Sequence, residues 1–436
     1  MGEATSDMGA DATPDVADPG TGGPSVVEQV LAPGAAVTKF LNRRALVRVT
    51  RVVPRTLHFV GSTLWRGEVS ESLPAPHLSL GLAAQVAMDE ALLAVAMTPN
   101  RFPIPGDYGR VAAELADAEA MFTAKEWVTD PATYHRTPPP LSDGDLATSR
   151  GWALGQGYDR VTWESGFAPR ESEPGSERWM GFGPNAAATA ALLRHPDPTR
   201  PWVIALHGFC MGFPFMDFPG LHAGRIHHDL GMNVALPVLP LHGPRRVTRI
   251  SGEPFLSFEL MNAVHGLTQA VWDLRRLVGW IRSQGATSIS LFGVSLGGYT
   301  VALLAGIEPG FDGVVAGIPV ADFPGLFHQH SPRHIRVRAI EHRIMGGTAE
   351  NVYRVVSPLC FEPLVPPDRR YIFAGYGDRL ATPDQARRLA EHWGGPEVSW
   401  YAGNHIGYLL SRQVTEFVMA SLAEAGGAEP PLADAV

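Results

Sequence analysis

From about residue 151 onward the chain alternates short apolar runs with helical segments, and this rhythm restricts the fold more than any other feature. The runs are VTWES (161–165), WVIAL (202–206), MNVALPVL (232–239), SISLFGV (288–294), GVVAGIPV (313–320), YIFAGY (371–376) and EVSWY (397–401). Strands that are apolar throughout, rather than alternately apolar and polar, are buried on both faces, as in a parallel sheet covered by helices. The segment 257–284 supplies the clearest helix. Leu260, Val264, Leu267, Val271, Leu274, Val278 and Ile281 recur at steps of four and three and mark one buried face. The expected fold class is α/β, a mainly parallel, doubly wound sheet. No repeat of solenoid period is visible.

Before residue 151 the pattern differs. Residues 1–25 are small and acidic and read as a disordered tail. Residues 26–150 read as a mostly helical extension, closed by Thr137-Pro138-Pro139-Pro140. The catalytic unit is expected over 151–425, with a flexible tail at 426–436. The apolar run GLAAQVAMDEALLAVAM (81–97) carries Asp89 and Glu90 at its centre, too short and too charged to cross a bilayer. The start lacks the basic and apolar regions of a secretory signal, so a cytoplasmic location is the expectation. A net charge of −9 argues against a broad nucleic-acid surface. The stretch 38–55 holds Lys39, Arg43, Arg44, Arg48, Arg51 and Arg55 without an acid. It offers contact with an anionic membrane surface, against which stands the commoner pairing of such charges with acids elsewhere in the fold.

The run LFGVSLGGYT places Ser295 between Gly293 and Gly297. The strand before it and the helix after it put the serine at a sharp strand-to-helix turn, where small neighbours relieve crowding. There the hydroxyl projects at a helix N-terminus, which favours a developing oxyanion. A serine needs a base. Among 16 histidines, His405 in YAGNHIGYLL follows the strand EVSWY and precedes the last helix, with Gly403 and Gly407 beside it. Asp378 follows the strand YIFAGYG and is suited to orient the imidazole; Asp322, one strand earlier, is the rival acid. The oxyanion donors are expected to be the N–H groups of Leu296 and of Phe209, after His207-Gly208; Cys210 is the weaker choice. His207 reads as a residue that holds this loop. Two cysteines make neither a disulfide framework nor a zinc site. The cluster His227-His228-Asp229 lacks a third group spaced for a metal. No metal and no cofactor is expected.

The order HGF (207–209), GVSLG (293–297), GDRLATP (377–383), GNHIG (403–407) resembles the α/β-hydrolase superfamily over roughly residues 155–425. Two departures stand out. Asn404 occupies the place of a glycine common before the histidine, and Pro383 lies five rather than four residues after Asp378. The resemblance implies an α/β-hydrolase-type sheet and a catalytic triad of Ser295, Asp378 and His405. It implies a small-molecule acyl ester as substrate, cleaved through an acyl-enzyme. Acyl transfer, thioester or peptide cleavage by the same triad is the alternative, as is a non-catalytic binding module on the same fold. The loop FCMGFPFMDFPG (209–220) reads equally as an apolar acyl pocket or as packing. The insertion 321–368, basic and histidine-rich, reads as a short cap.

Overall fold

Nine strands form one sheet with the order β1-β2-β3-β5-β4-β6-β7-β8-β9. The strands are β1 (Ala147–Ala153), β2 (Gln156–Glu164), β3 (Ala187–Leu193), β4 (Trp202–Leu206), β5 (Asn233–Pro237), β6 (Ile289–Val294), β7 (Gly313–Gly317), β8 (Arg370–Gly375) and β9 (Glu397–Tyr401). The pairings from β5 through β4, β6, β7 and β8 to β9 are parallel. Those joining β1, β2, β3 and β5 are antiparallel. This computed structural model describes residues 52–65, 79–96 and 103–427. The acidic start (1–25), the first run of the extension, most of the basic stretch 38–55 and the tail beyond Gly427 lie outside the described residues.

The α/β sheet expected from the strand rhythm is present, and every apolar run singled out in the sequence contributes a strand. Two further strands, β1 and β3, carry no such signal. ATSRGWA is polar and mostly exposed, and AATAALL is rich in alanine, a helix former. Each is a strand because of its ladder. Ala190 to Leu193 pair with Pro237 to Val234 on one side, and Ala187 to Leu192 pair with Glu164 to Asp159 on the other. The sheet begins at Ala147, a few residues before the rhythm becomes visible.

The helices are α1 (Val52–Trp65), α2 (Leu80–Ala96), α3 (Pro105–Ala124), α4 (Ser176–Met180), α5 (Pro214–Gly220), α6 (Ala223–His228), α7 (Met261–Ser283), α8 (Leu296–Ile307), α9 (Phe323–His330), α10 (Arg333–Glu341), α11 (Gly347–Tyr353), α12 (Pro383–His392) and α13 (Arg412–Gly426). Period-two alternation sends neighbouring strand residues to opposite faces. Trp202, Ile204 and Leu206 of β4 join a core built with α3, α7 and α8. Val203 and Ala205 join a second core with α6 and α13. Helix α3 shares the first core through Val111, Leu115 and Phe122, so this part of the N-terminal extension packs with the sheet. Helices α9, α10 and α11 fill the insertion 321–368. Because β4, β6, β8 and β9 are parallel, their carboxyl ends lie on one edge, where open α/β sheets hold their ligands.

Candidate active site

The turn after β6 is built around a strained serine. Ser295 has φ 57° and ψ −115°, a conformation that L-residues rarely adopt. Its N–H donates to Gly317 O at 2.9 Å, and α8 begins at the next residue. The flanking glycines are required by close approach rather than by freedom. A Cβ on Gly293 would lie 2.3 Å from Gly297 O, and one on Gly297 would lie 2.1 Å from Leu206 O. A side chain at either position would push the helix off the strand.

The structure brings Ser295, His405 and Asp378 together. His405 Nε2 lies 3.0 Å from Ser295 Oγ, and His405 Nδ1 lies 2.7 Å from Asp378 Oδ2. Asp378 Oδ1 accepts the N–H groups of Leu380 (2.8 Å) and Ala381 (2.9 Å), which fixes the carboxylate across the loop. With the carboxylate ionised, Nδ1–H donates to Asp378 and the Nε2 lone pair faces the serine hydroxyl. Burial alone disfavours the imidazolium. The charge and hydrogen bond of Asp378, with the charge of Asp89, oppose it and leave the His405 pKa raised.

The rival acid is elsewhere. Asp322 caps α9 by accepting from Gly325 N at 3.1 Å and pairs with the Arg388 guanidinium. Nor is Asp378 the partner of its neighbour Arg379, whose guanidinium reaches Glu90 at 3.0 Å.

Phe209 and Leu296 both border the cavity at Ser295. Leu296 is the first residue of α8, so its N–H has no partner within the helix. His207 holds the loop before Phe209, as its position suggested. It is buried, its Nε2 accepts Leu239 N–H at 3.1 Å, and Nδ1 lies 2.9 Å from Gly208 O. Burial lowers its pKa to about 4, so the ring is neutral and serves as a strut. The rest of FCMGFPFMDFPG divides. Phe218 packs into the second core against Tyr158, and Phe213 stacks on the exposed Phe215, away from the serine. Among these aromatic residues Phe209 borders the cavity.

That cavity measures about 80 Å³ and is apolar, bounded by Leu93, Phe209, Val320, Phe323, Leu326 and Leu380 around Ser295. The insertion contributes Phe323, Leu326 and a neutral His330, whose Nε2 lies 2.8 Å from Leu380 O. Arg333 and Arg338 of α10 are exposed. Among the described residues no three His, Cys, Asp or Glu side chains converge as a metal site.

Sequence reasoning expected a helix where α2 lies but missed its place at the site. Asp89 is fully buried, and its Oδ2 accepts the N–H of His405 at 3.0 Å and of Arg379 at 2.9 Å. Its Oδ1 accepts Asn404 Nδ2 at 2.9 Å. Asn404, the departure noted in the motif, is explained here. Its Nδ2 also donates to Gln85 O (2.9 Å), and its N–H donates to Gln85 Oε1 (3.0 Å). The glycines around His405 make room for this helix, since a Cβ on Gly407 would lie 2.8 Å from Gln85 Oε1. The signal was present in the sequence. An acidic pair in an otherwise apolar helix asks for a buried partner, but the partner cannot be named without the fold.

No family model matches the chain. It is 39% identical over 375 residues to the uncharacterised protein Rv2627c of Mycobacterium tuberculosis (strain ATCC 25618 / H37Rv), covering 84% of this chain and 89% of that protein. The chain belongs to the same family. Protein MT2702 of strain CDC 1551 / Oshkosh is similar to the same extent. Among solved structures, acetyl xylan esterase 1 from Thermoanaerobacterium sp. JW/SL YS485 has a TM-score of 0.46 at 13% identity, with 69% of this chain and 93% of that chain covered. An acetyl xylan esterase from Paenibacillus sp. R4 has 0.41 at 14%, with 64% and 93% covered. The Pyrococcus horikoshii acylaminoacyl peptidase has 0.39 at 12%, with 67% and 42% covered. The sheet order, with its serine on a strained turn from parallel strand to helix, is that of an α/β-hydrolase-type fold. No helix among the described residues is long and apolar enough to cross a membrane.

Proposed function

We propose that the protein is a serine hydrolase that cleaves a carboxylic ester through an acyl-enzyme. The observation that carries this reading is the unbroken hydrogen-bonded line from Ser295 through His405 to Asp378, opening on an apolar cavity. Ser295 Oγ attacks the ester carbonyl carbon while His405 Nε2 takes the hydroxyl proton. The carbonyl electron pair moves onto oxygen, and the N–H groups of Leu296 and Phe209 stabilise that oxyanion, by about 3 kcal/mol for each donor. Collapse of the tetrahedral species breaks the bond to the alcohol oxygen, which leaves with the proton from His405. Water, deprotonated by His405, then attacks the acyl-serine and releases the carboxylic acid. Asp378 stays ionised throughout, holding the imidazole in one tautomer and stabilising its cationic form.

The test is labelling with a fluorophosphonate, read by intact mass and peptide mapping on the wild type and on Ser295→Ala. A single adduct on the peptide containing Ser295, absent from the variant, is expected. Hydrolysis of a p-nitrophenyl ester series, with thioester and anilide analogues alongside, then assigns the leaving group. No adduct on folded protein sinks the reading and leaves a binding module.

A further inference from the structure

Helix α2 lies outside the sheet and far from it in sequence, yet three residues spaced four apart on one of its faces meet the site. Gln85 and Asp89 bond the loops that carry His405 and Asp378, and Leu93 borders the cavity at Ser295. The anomaly is the charge of Asp89. Its carboxylate is buried, and among the described residues no cation is bound to it, because the Arg379 guanidinium is taken by Glu90. Burial first, and then the charge of Asp378, push its pKa up to about 6 against the pull of His405 and two backbone N–H groups. Above that pH the ionised form is a cost to the fold. A charge that costs stability, and is met by the very loops that present the triad, points to use at the site.

We propose, on the basis of the serine-hydrolase reading above, that α2 is a working part of the active site. Asp89 is a positioning residue whose charge and hydrogen bonds set His405, and Leu93 bounds the acyl pocket so that the substrate class is esters of short apolar acids. The charged and titratable groups around this point are Asp378 and Arg379 from the loop after β8, Tyr401 and His405 from β9 and its loop, Glu90 and Arg55 from the N-terminal helices, and His330 from α9. Among them, Asp378 and Asp89 raise the basicity of His405. The cavity of about 80 Å³ beside Ser295 is apolar and Leu93 forms one of its walls, so truncating Leu93 should lengthen the acyl chain that fits there.

Asp89→Asn removes the charge and keeps the two backbone bonds: an amide oxygen in place of Oδ2 still accepts the N–H groups of His405 and Arg379, and the amide nitrogen in place of Oδ1 gives up the bond from Asn404 Nδ2. Full-length wild type, Asp89→Asn, Asp89→Ala and Leu93→Ala are compared for fluorophosphonate labelling rate, kcat and KM on acetyl to octanoyl p-nitrophenyl esters, pH profile and melting. In Asp89→Asn we expect a labelling rate and kcat lower by roughly 10- to 100-fold, KM little changed, and the acidic limb moved to lower pH by about half a unit to one unit. Asp89→Ala is expected to fall further. In Leu93→Ala the ratio of kcat/KM for octanoyl over acetyl esters is expected to rise about tenfold. A second readout needs no turnover: the downfield His405 Nδ1–H resonance, titrated in Ser295→Ala with and without Asp89→Asn, is expected to show the same fall. An unlabelled wild type defeats the hydrolase reading, and the resonance still tests Asp89. A labelled wild type with unchanged rate, pH profile and resonance in Asp89→Asn overturns the role of Asp89, even if melting falls. An unchanged chain-length profile in Leu93→Ala overturns the role of Leu93.

Discussion

Asp89 and Asp273 are both buried carboxylates on helices, and they are answered in opposite ways. Asp273 of α7 receives Arg245 at 2.8 Å and the hydroxyl of Ser165 at 2.6 Å. Arg245 is itself buried and also donates to Val238 O and Asn185 O. This is a closed ion pair with its hydrogen bonds largely met, and it ties α7 to the antiparallel end of the sheet. Among the described residues Asp89 receives only neutral donors, all three from the loops that carry Asp378 and His405. The first arrangement spends its charge on architecture; the second leaves its charge acting on the His405 imidazole. A buried acid is informative less by its burial than by what neutralises it.

The largest expected effect tests the end of that comparison where chemistry lies. Ser295→Ala should lose about 10⁴-fold or more in kcat on any ester the wild type cleaves, with melting unchanged within about 1 kcal/mol. Asp378→Asn should lose nearly as much, about 10³- to 10⁴-fold, because the amide favours the wrong imidazole tautomer. Steady-state kinetics with active-site titration checks both. The architectural end should respond in stability instead. Asp273→Asn leaves a buried guanidinium short of its counter-charge and should destabilise the fold by about 3–5 kcal/mol in urea unfolding. The pH profile of the remaining activity should stay unchanged. Equal pH shifts in Asp273→Asn and Asp89→Asn would erase the distinction.

The sharper comparison is stability against pH. A carboxyl group raised from 3.8 to about 6 binds more protons in the native than in the unfolded state across that window. Wild-type stability from this group therefore falls as pH rises from about 4 to 6 and is flat beyond. Asp89→Asn lacks that dependence. Its stability relative to wild type should climb across the window, by up to about 3 kcal/mol, and denaturant unfolding at pH 4 and 7 reads the difference. The smallest effect is expected at Arg55→Ala. Its side chain is half exposed in the pair with Glu90 (3.1 Å), and Glu90 keeps Arg379, so the loss should be about 0.5 kcal/mol or less.

Much of the fold was legible because burial writes itself into local sequence. A strand covered on both faces must be apolar throughout, so β4 to β8 announce themselves, as does α7 by its stripe. Asp378 and His405 were legible for a related reason: each follows a strand, and parallel strands deliver their carboxyl ends to one edge. β3 was not legible, because an alanine-rich run is made a strand only by the ladders on either side of it. The strain at Ser295 was half legible, in the glycines that permit it.

What the sequence determined by itself is the period of burial, the ends of the strands and the residues waiting there. Only the tertiary structure decided that Asp378 rather than Asp322 faces His405, and that Asp322 turns to Arg388. Only the tertiary structure brought Asp89 to the N–H of His405, across a separation of 316 residues. Local patterns follow from what each residue does with water and with its near neighbours. The partner of a buried charge depends on which distant segment arrives beside it, and short-range periodicity holds no record of that.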